Sequence, residues 1–129
     1  LTAAIAPVSV TIYPEGRADA PAALCHRALM AFAGLARPEV FTATLEELGV
    51  DLKSCRPFPD HHAYSPDELE RLTGAARSLG AQGLVTTSKD WARLGERWDR
   101  KLPLWVLEVE ARIEDVGKIL ELLDRVSAR

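Results

Sequence analysis

The run Ala28-Leu-Met-Ala-Phe-Ala33 constrains the fold more than any other stretch of this chain. It is continuously apolar and stops at Gly34, so a strand built from it has no face that can be left in water. Such a strand needs helices on both sides. The chain supplies them: Pro38 starts a helix over 38–48, with Phe41, Leu45 and Leu48 at helical spacing and Gly49 in the place of a C-terminal cap. Ser65-Pro66-Asp67-Glu68 reads as a Ser N-cap, a proline in the first turn and a glutamate that closes a capping box. Leu69, Leu72, Ala76 and Leu79 then line one face of a helix that ends at Gly80.

Between the helices lie further strand patterns. Val8–Tyr13 alternates and is β-branched, and residues 14–24 follow it as a connector. Cys55-Arg-Pro-Phe58 is extended or loop, and Gly83-Leu-Val-Thr-Thr87 reads as a buried strand followed by a short helix from Lys89 to Leu94. Leu102–Val109 reads as a strand that runs into a last helix, with Ile113, Val116, Leu120, Leu123 and Val126 as its apolar stripe. Strands that alternate with helices through short connections predict a three-layer α/β/α domain with a mostly parallel sheet.

Length and charge narrow the function classes. The chain has 129 residues, the size of one domain, and 16 Lys+Arg against 19 Asp+Glu give a net charge of −3, with a pI near 5.6. That balance offers no general attraction to nucleic acid, whose sequence-independent binding rests on clustered Lys and Arg. Cys25 and Cys55 are too few for a disulfide scaffold and suit a reducing compartment. Cys25-His26, Cys55 and His61-His62 show no paired ligand spacing, so no metal site is expected. Neither a P-loop nor a dinucleotide fingerprint is present. Leu1 is not a methionine and apolar sequence begins at once, as expected for a piece of something longer.

In α/β sheets, ligands bind beyond the carboxyl ends of the strands. Three segments leave those ends. In Gly34-Leu-Ala-Arg37-Pro38 a guanidinium lies beside a helix N-terminus, where free N–H groups favour an anion; Arg37 is a candidate phosphate contact, or else a solvated turn residue. In Phe58-Pro-Asp60-His61-His62-Ala-Tyr64 a carboxylate adjoins imidazoles able to take a proton near neutrality, unless Asp60 merely caps a turn. In Thr86-Thr87-Ser88-Lys89-Asp90, hydroxyl, ammonium and carboxylate groups suit a phosphate or sugar. The structural alternative makes Thr87 or Ser88 an N-cap and Asp90 a first-turn charge.

Taken in order, these segments resemble the tetraacyldisaccharide 4′-kinase family, which phosphorylates a lipid A precursor. Ala31-Phe-Ala-Gly34-Leu-Ala-Arg-Pro38-Glu-Val-Phe41-Thr-Ala-Thr-Leu45 is similar to the family's A-x-A-G-I-G-x-P-x-x-F-F-x-T-L. Phe58–Tyr64 is similar to its F-x-D-H-H-x-Y, and Thr87-Ser-Lys89-Asp90 to its T-E-K-D. Ser88 stands where the pattern has glutamate, Thr42 where it has a second phenylalanine, and Ala36 where it has a second glycine.

The resemblance implies that residues 25–129 are the C-terminal α/β domain, the smaller lobe of a two-lobe P-loop-type kinase, with 1–24 as linker strand and connector. It implies a kinase that uses ATP and Mg²⁺, neither bound to this piece alone, and partners comprising an N-terminal P-loop domain, a lipid-linked disaccharide and the cytoplasmic face of the bacterial inner membrane. It places the catalytic histidine at His61, beside Asp60, and makes Arg37, Thr87, Lys89 and Asp90 candidate substrate or phosphate contacts. The competing reading is a free-standing α/β module that binds an anionic small molecule without catalysis.

Overall fold

The computed structural model describes residues 3–35, 37–59, 62–94, 98 and 102–113. Its strands are β1 (Ala3–Tyr13), β2 (Arg17–Asp19), β3 (Ala28–Ala33), β4 (Asp51–Pro57), β5 (Gly83–Thr87) and β6 (Leu104–Ile113). The helices are α1 (Pro38–Glu47), α2 (Pro66–Ser78) and α3 (Ser88–Arg93). One six-stranded sheet has the order β2-β1-β6-β5-β3-β4. The pairs β3–β4, β3–β5 and β5–β6 are parallel, whereas β1 runs antiparallel to both β2 and β6.

The double burial expected of 28–33 is present in β3. Leu29, Ala31 and Ala33 enter one apolar cluster with Phe41 and Leu45 of α1, and Met30 and Phe32 enter the other with Leu69, Leu72 and Ala76 of α2. Side chains alternate across a strand, so a continuous apolar run feeds both clusters and fixes three layers. Both long helices end as their glycines require: Gly49 and Gly80 have φ of +84° and +76°, a left-handed conformation that costs a residue without Cβ little. Ser65 Oγ accepts from the Glu68 N–H at 3.2 Å while Glu68 accepts from the Ser65 N–H at 2.9 Å, the reciprocal box anticipated from the sequence.

Several boundaries move. The connector expected over 14–24 contains β2, which pairs with β1 after a turn at Gly16, and a 3₁₀ turn over Pro21–Leu24. The strand expected over 8–13 begins at Ala3, and the one expected to stop at Val109 continues to Ile113, because the β1–β6 ladder runs from Ala3↔Ile113 to Tyr13↔Leu104. Ile113 therefore belongs to a strand and not to a final helix; the remainder of that expected helix lies outside the described residues. Around Cys55 the chain is a full edge strand, β4, hydrogen-bonded to β3.

The path of the chain sets the position of the site. From β3 it crosses through α1 to β4 at the sheet edge. It then returns through α2 to β5, on the other flank of β3. The reversal sends successive helices to opposite faces: α1 packs in the first cluster and α2 in the second, where Trp91 and Leu94 of the α3 region also lie. The loops leaving β3 and β5 thus diverge between two adjacent parallel strands, the switch point at which such sheets bind ligands.

Candidate functional site

Asp90 lies at this divergence. It is 3% exposed and stands in the first turn of α3. Its Oδ1 accepts from the Gly34 N–H at 2.9 Å and from the Tyr64 hydroxyl at 3.0 Å, and its Oδ2 accepts from the Thr87 hydroxyl at 2.6 Å. One buried carboxylate thereby joins the β3 exit, the loop before α2 and the β5 exit, the three segments singled out by sequence. Burial of a charge is tolerable only with such a set of donors. Thr87 caps α3 in addition, its Oγ1 accepting from the Asp90 N–H at 3.2 Å, so the structural alternative for Thr87 and Asp90 describes contacts they make.

Gly34 is obligatory at this junction for lack of space. A Cβ there would come 2.7 Å from the Pro59 carbonyl oxygen, 3.2 Å from Asp90 Oδ1 and 3.5 Å from the His62 Cβ. Backbone atoms of β3 and of the 58–64 loop therefore approach more closely than any side chain would permit.

The same loop carries the imidazole side of the site. Asp60 and His61 lie outside the described residues. Beside them, the His62 ring stacks on Phe58 with centroids 4.8 Å apart and meets Tyr64 edge-on at 4.9 Å. His62 Nε2 is 3.0 and 2.9 Å from the two oxygens of Glu68. The Ser65 N–H chiefly, aided by the imidazole, holds the Glu68 carboxyl below its usual range although burial pushes the other way. An ionised carboxylate only accepts, so Nε2 carries the proton and the neutral ring would keep Nδ1 as its acceptor. The Tyr64 phenol is pushed far above its usual value, first by burial and then by the Asp90 charge, and it remains a donor at any physiological pH.

The two cationic candidates stay at the surface. Arg37 is the residue before α1, makes no side-chain cap, and reaches Glu39 at 3.3 Å with both side chains mostly exposed, a pair of little energetic weight. Lys89 is exposed in the first turn of α3, where the helix dipole disfavours a cation, so helix stability does not account for it. Among the described residues no group of three or more His, Cys, Asp or Glu side chains is placed to hold a metal ion.

Sequence reasoning gave no role at the site to Tyr64 or Glu68. Tyr64 closes the motif that begins at Phe58, and Glu68 is legible as a capping residue; its second partnership, with His62, has no local signature.

Comparison with known proteins agrees with the motifs. The profile of the tetraacyldisaccharide-1-P 4′-kinase family matches residues 2–128. The tetraacyldisaccharide 4′-kinase of Geobacter metallireducens is 37% identical over 117 residues, 91% of this chain and 35% of the relative. That of Mesorhizobium japonicum is 42% identical over 104 residues, 78% of this chain and 30% of the relative. The chain thus spans about a third of the length of these relatives. A crystal structure of the "apo" form of LpxK from Aquifex aeolicus in complex with ATP aligns with 97% of this chain and 36% of its own, at a TM-score of 0.50 and 22% identity, and shares its fold. Three motif segments gathered on one carboxylate, and a profile that runs nearly end to end, give the same result: this chain belongs to the tetraacyldisaccharide-1-P 4′-kinase family.

Proposed function

We propose that this chain is the C-terminal, acceptor-side part of a kinase that transfers the γ-phosphate of ATP to the 4′-hydroxyl of a tetraacyldisaccharide 1-phosphate in lipid A biosynthesis. The observation that carries the reading is the convergence of the three family segments over Asp90 at the sheet's switch point. The C-terminal domain takes in β1 and β2, which share its sheet, and β1 also its core, and it is joined to a P-loop domain of the same protein. The kinase works at the cytoplasmic face of the inner membrane as a peripheral enzyme; among the described residues no helix is long and apolar enough to cross a membrane.

Mg²⁺ and ATP do not fit the groups described here: the sequence has no phosphate-cradling glycine loop, and the described carboxylates form no metal cluster. They belong to the other domain, which holds the triphosphate. This chain's own residues act on the acceptor. His61, beside Asp60, removes the proton from the attacking hydroxyl, and Arg37 and Lys89 at the mouth of the switch point attract anionic oxygens. Thr87 and Asp90 contribute by holding the loops that carry those groups in register. Phosphoryl transfer asks mainly for positioning and charge stabilisation, so this division between two domains suffices.

The test is His61→Ala in the full-length protein. The expected loss in kcat is about 10²–10⁴-fold with KM for ATP little changed, because the triphosphate is held elsewhere. A variant with near-normal kcat and a much lower melting temperature would make His61 structural and defeat the assignment.

A further inference from the structure

His62 and Glu68 have no part in the reaction proposed above, yet each is fixed by several contacts. The His62 ring stacks on Phe58, meets Tyr64 edge-on, and holds Nε2 at 3.0 and 2.9 Å from the two oxygens of Glu68. The two side chains are 23% and 26% exposed, so water screens this pair far less than the exposed pair of Arg37 and Glu39. Glu68 is anchored in its turn. It stands in the first turn of α2 and accepts from the Ser65 N–H at 2.9 Å, while Leu69, Leu72 and Ala76 bury the same helix in the core.

The backbone of His62 makes a second kind of contact. Its N–H donates to the Pro59 carbonyl at 3.0 Å, the closure of a turn over 59–62. That carbonyl is the one pressed against Gly34, and the N–H of Phe58, just before it, donates to the Ala33 carbonyl at 2.9 Å. One end of the turn is therefore seated on the exit of β3, and the other, through the His62 ring, on α2. Asp60 and His61 are the two residues that the chain places between these ends.

We infer that Glu68 is a positioning residue for the phosphoryl transfer: by holding His62 it fixes the far end of the turn that carries Asp60 and His61, and so sets the reach of the His61 imidazole toward the acceptor hydroxyl. The inference rests on the kinase reading above and deepens it, giving the base a support on a helix packed in the core. A group that moves a proton has to be held within about 0.5 Å by neighbours of this sort. A misplacement of about 1 Å can cost about 10²-fold in rate. Glu68 itself touches no reacting atom, so its loss appears in kcat and not in KM.

The experiment uses the full-length protein and two substitutions that separate capping from clamping. Glu68→Gln keeps an oxygen for the Ser65 N–H but turns an amide NH₂ toward Nε2, donor against donor. Ser65→Ala removes the hydroxyl half of the capping box and leaves the contact of Glu68 with His62 in place. With ATP and the tetraacyldisaccharide 1-phosphate, Glu68→Gln lowers kcat about 10- to 100-fold with both KM values within about twofold of wild type, and Ser65→Ala keeps the wild-type kcat. His62→Ala matches Glu68→Gln. On a His61→Ala background Glu68→Gln adds no further loss, because no imidazole is left to position. Equal losses for Ser65→Ala and Glu68→Gln, a loss confined to KM, or a full additional loss on His61→Ala overturns the assignment. A second readout needs no turnover: hydrogen exchange of the residue 62 amide, measured relative to the amides of β3. Glu68→Gln speeds it about tenfold or more, and Ser65→Ala leaves it unchanged. If the protein phosphorylates no acceptor but this dependence on Glu68 holds, the proposed activity fails and the clamp stands; if the amide exchanges alike in wild type and Glu68→Gln, the clamp fails.

Discussion

The Tyr64 hydroxyl donates to Asp90 Oδ1 at 3.0 Å across a separation of 26 residues, and thereby ties the end of the imidazole loop to the helix that follows β5. The phenol is half-buried and packs edge-on against Phe32 of β3, with centroids 5.4 Å apart. Its ring rests on the sheet while its oxygen sets the position of the loop.

Tyr64→Phe keeps the ring contact and removes one of the donors to a buried carboxylate. A hydrogen bond to a charged group is worth about 1.5–3 kcal/mol, so the urea midpoint should fall by the corresponding amount. Asp90→Ala removes the acceptor shared by Gly34, Tyr64 and Thr87 and should cost more. A Tyr64→Phe protein as stable as wild type would mean that the hydroxyl bond contributes nothing.

Gly34→Ala forces the 58–64 loop away from β3, since the new methyl group would lie 2.7 Å from the Pro59 carbonyl oxygen. Overpacking at such a site typically costs about 1–3 kcal/mol. Amide exchange in residues 62–64 should accelerate along with the loss of stability. Unchanged exchange there would show that the loop does not lean on Gly34.

Glu68 makes part of the stability dependent on acid. Its carboxyl is held below the ordinary range by the Ser65 N–H first and by His62 after it. A group whose value is lowered by folding stabilises the fold above its unfolded value, and that contribution disappears as pH falls through the folded one. Thermal melts of wild type should therefore worsen as pH drops through and below the usual carboxylate range, and Glu68→Gln should flatten that part of the curve. A Gln variant with an unchanged pH profile would remove Glu68 from the account.

The 129-residue chain alone should show no micromolar affinity for Mg–ATP, because the N–H nest and lysine that grip β- and γ-phosphates are not in its sequence. Isothermal calorimetry decides this. Tight binding would relocate the nucleotide site into this domain.

The parts of the fold that were legible are those written locally. The capping box of Ser65 and Glu68 is four consecutive residues, and the double burial of β3 is stated by its own composition. Strand length was not legible, because β1 and β6 extend as far as they find each other, and the partners Ala3 and Ile113 are at opposite ends of the described chain. β2 is three exposed residues that owe their conformation to β1 alone. At the site, sequence located all three segments and read Asp90 as a substrate or phosphate contact or else as a first-turn helix charge, but not as the acceptor common to all three. Its partner Gly34 is 56 residues away, and no short pattern reports a hydrogen bond over that separation.

The antiparallel pairing of β1 with β6 gives the domain a single doorway. Ala3 and Ile113 are neighbours across one ladder, so the first and last residues of the described segment meet at one spot on the sheet. By the same geometry the sequence could be cut elsewhere and rejoined at that doorway with little effect on the sheet, a circular permutation that this strand order invites.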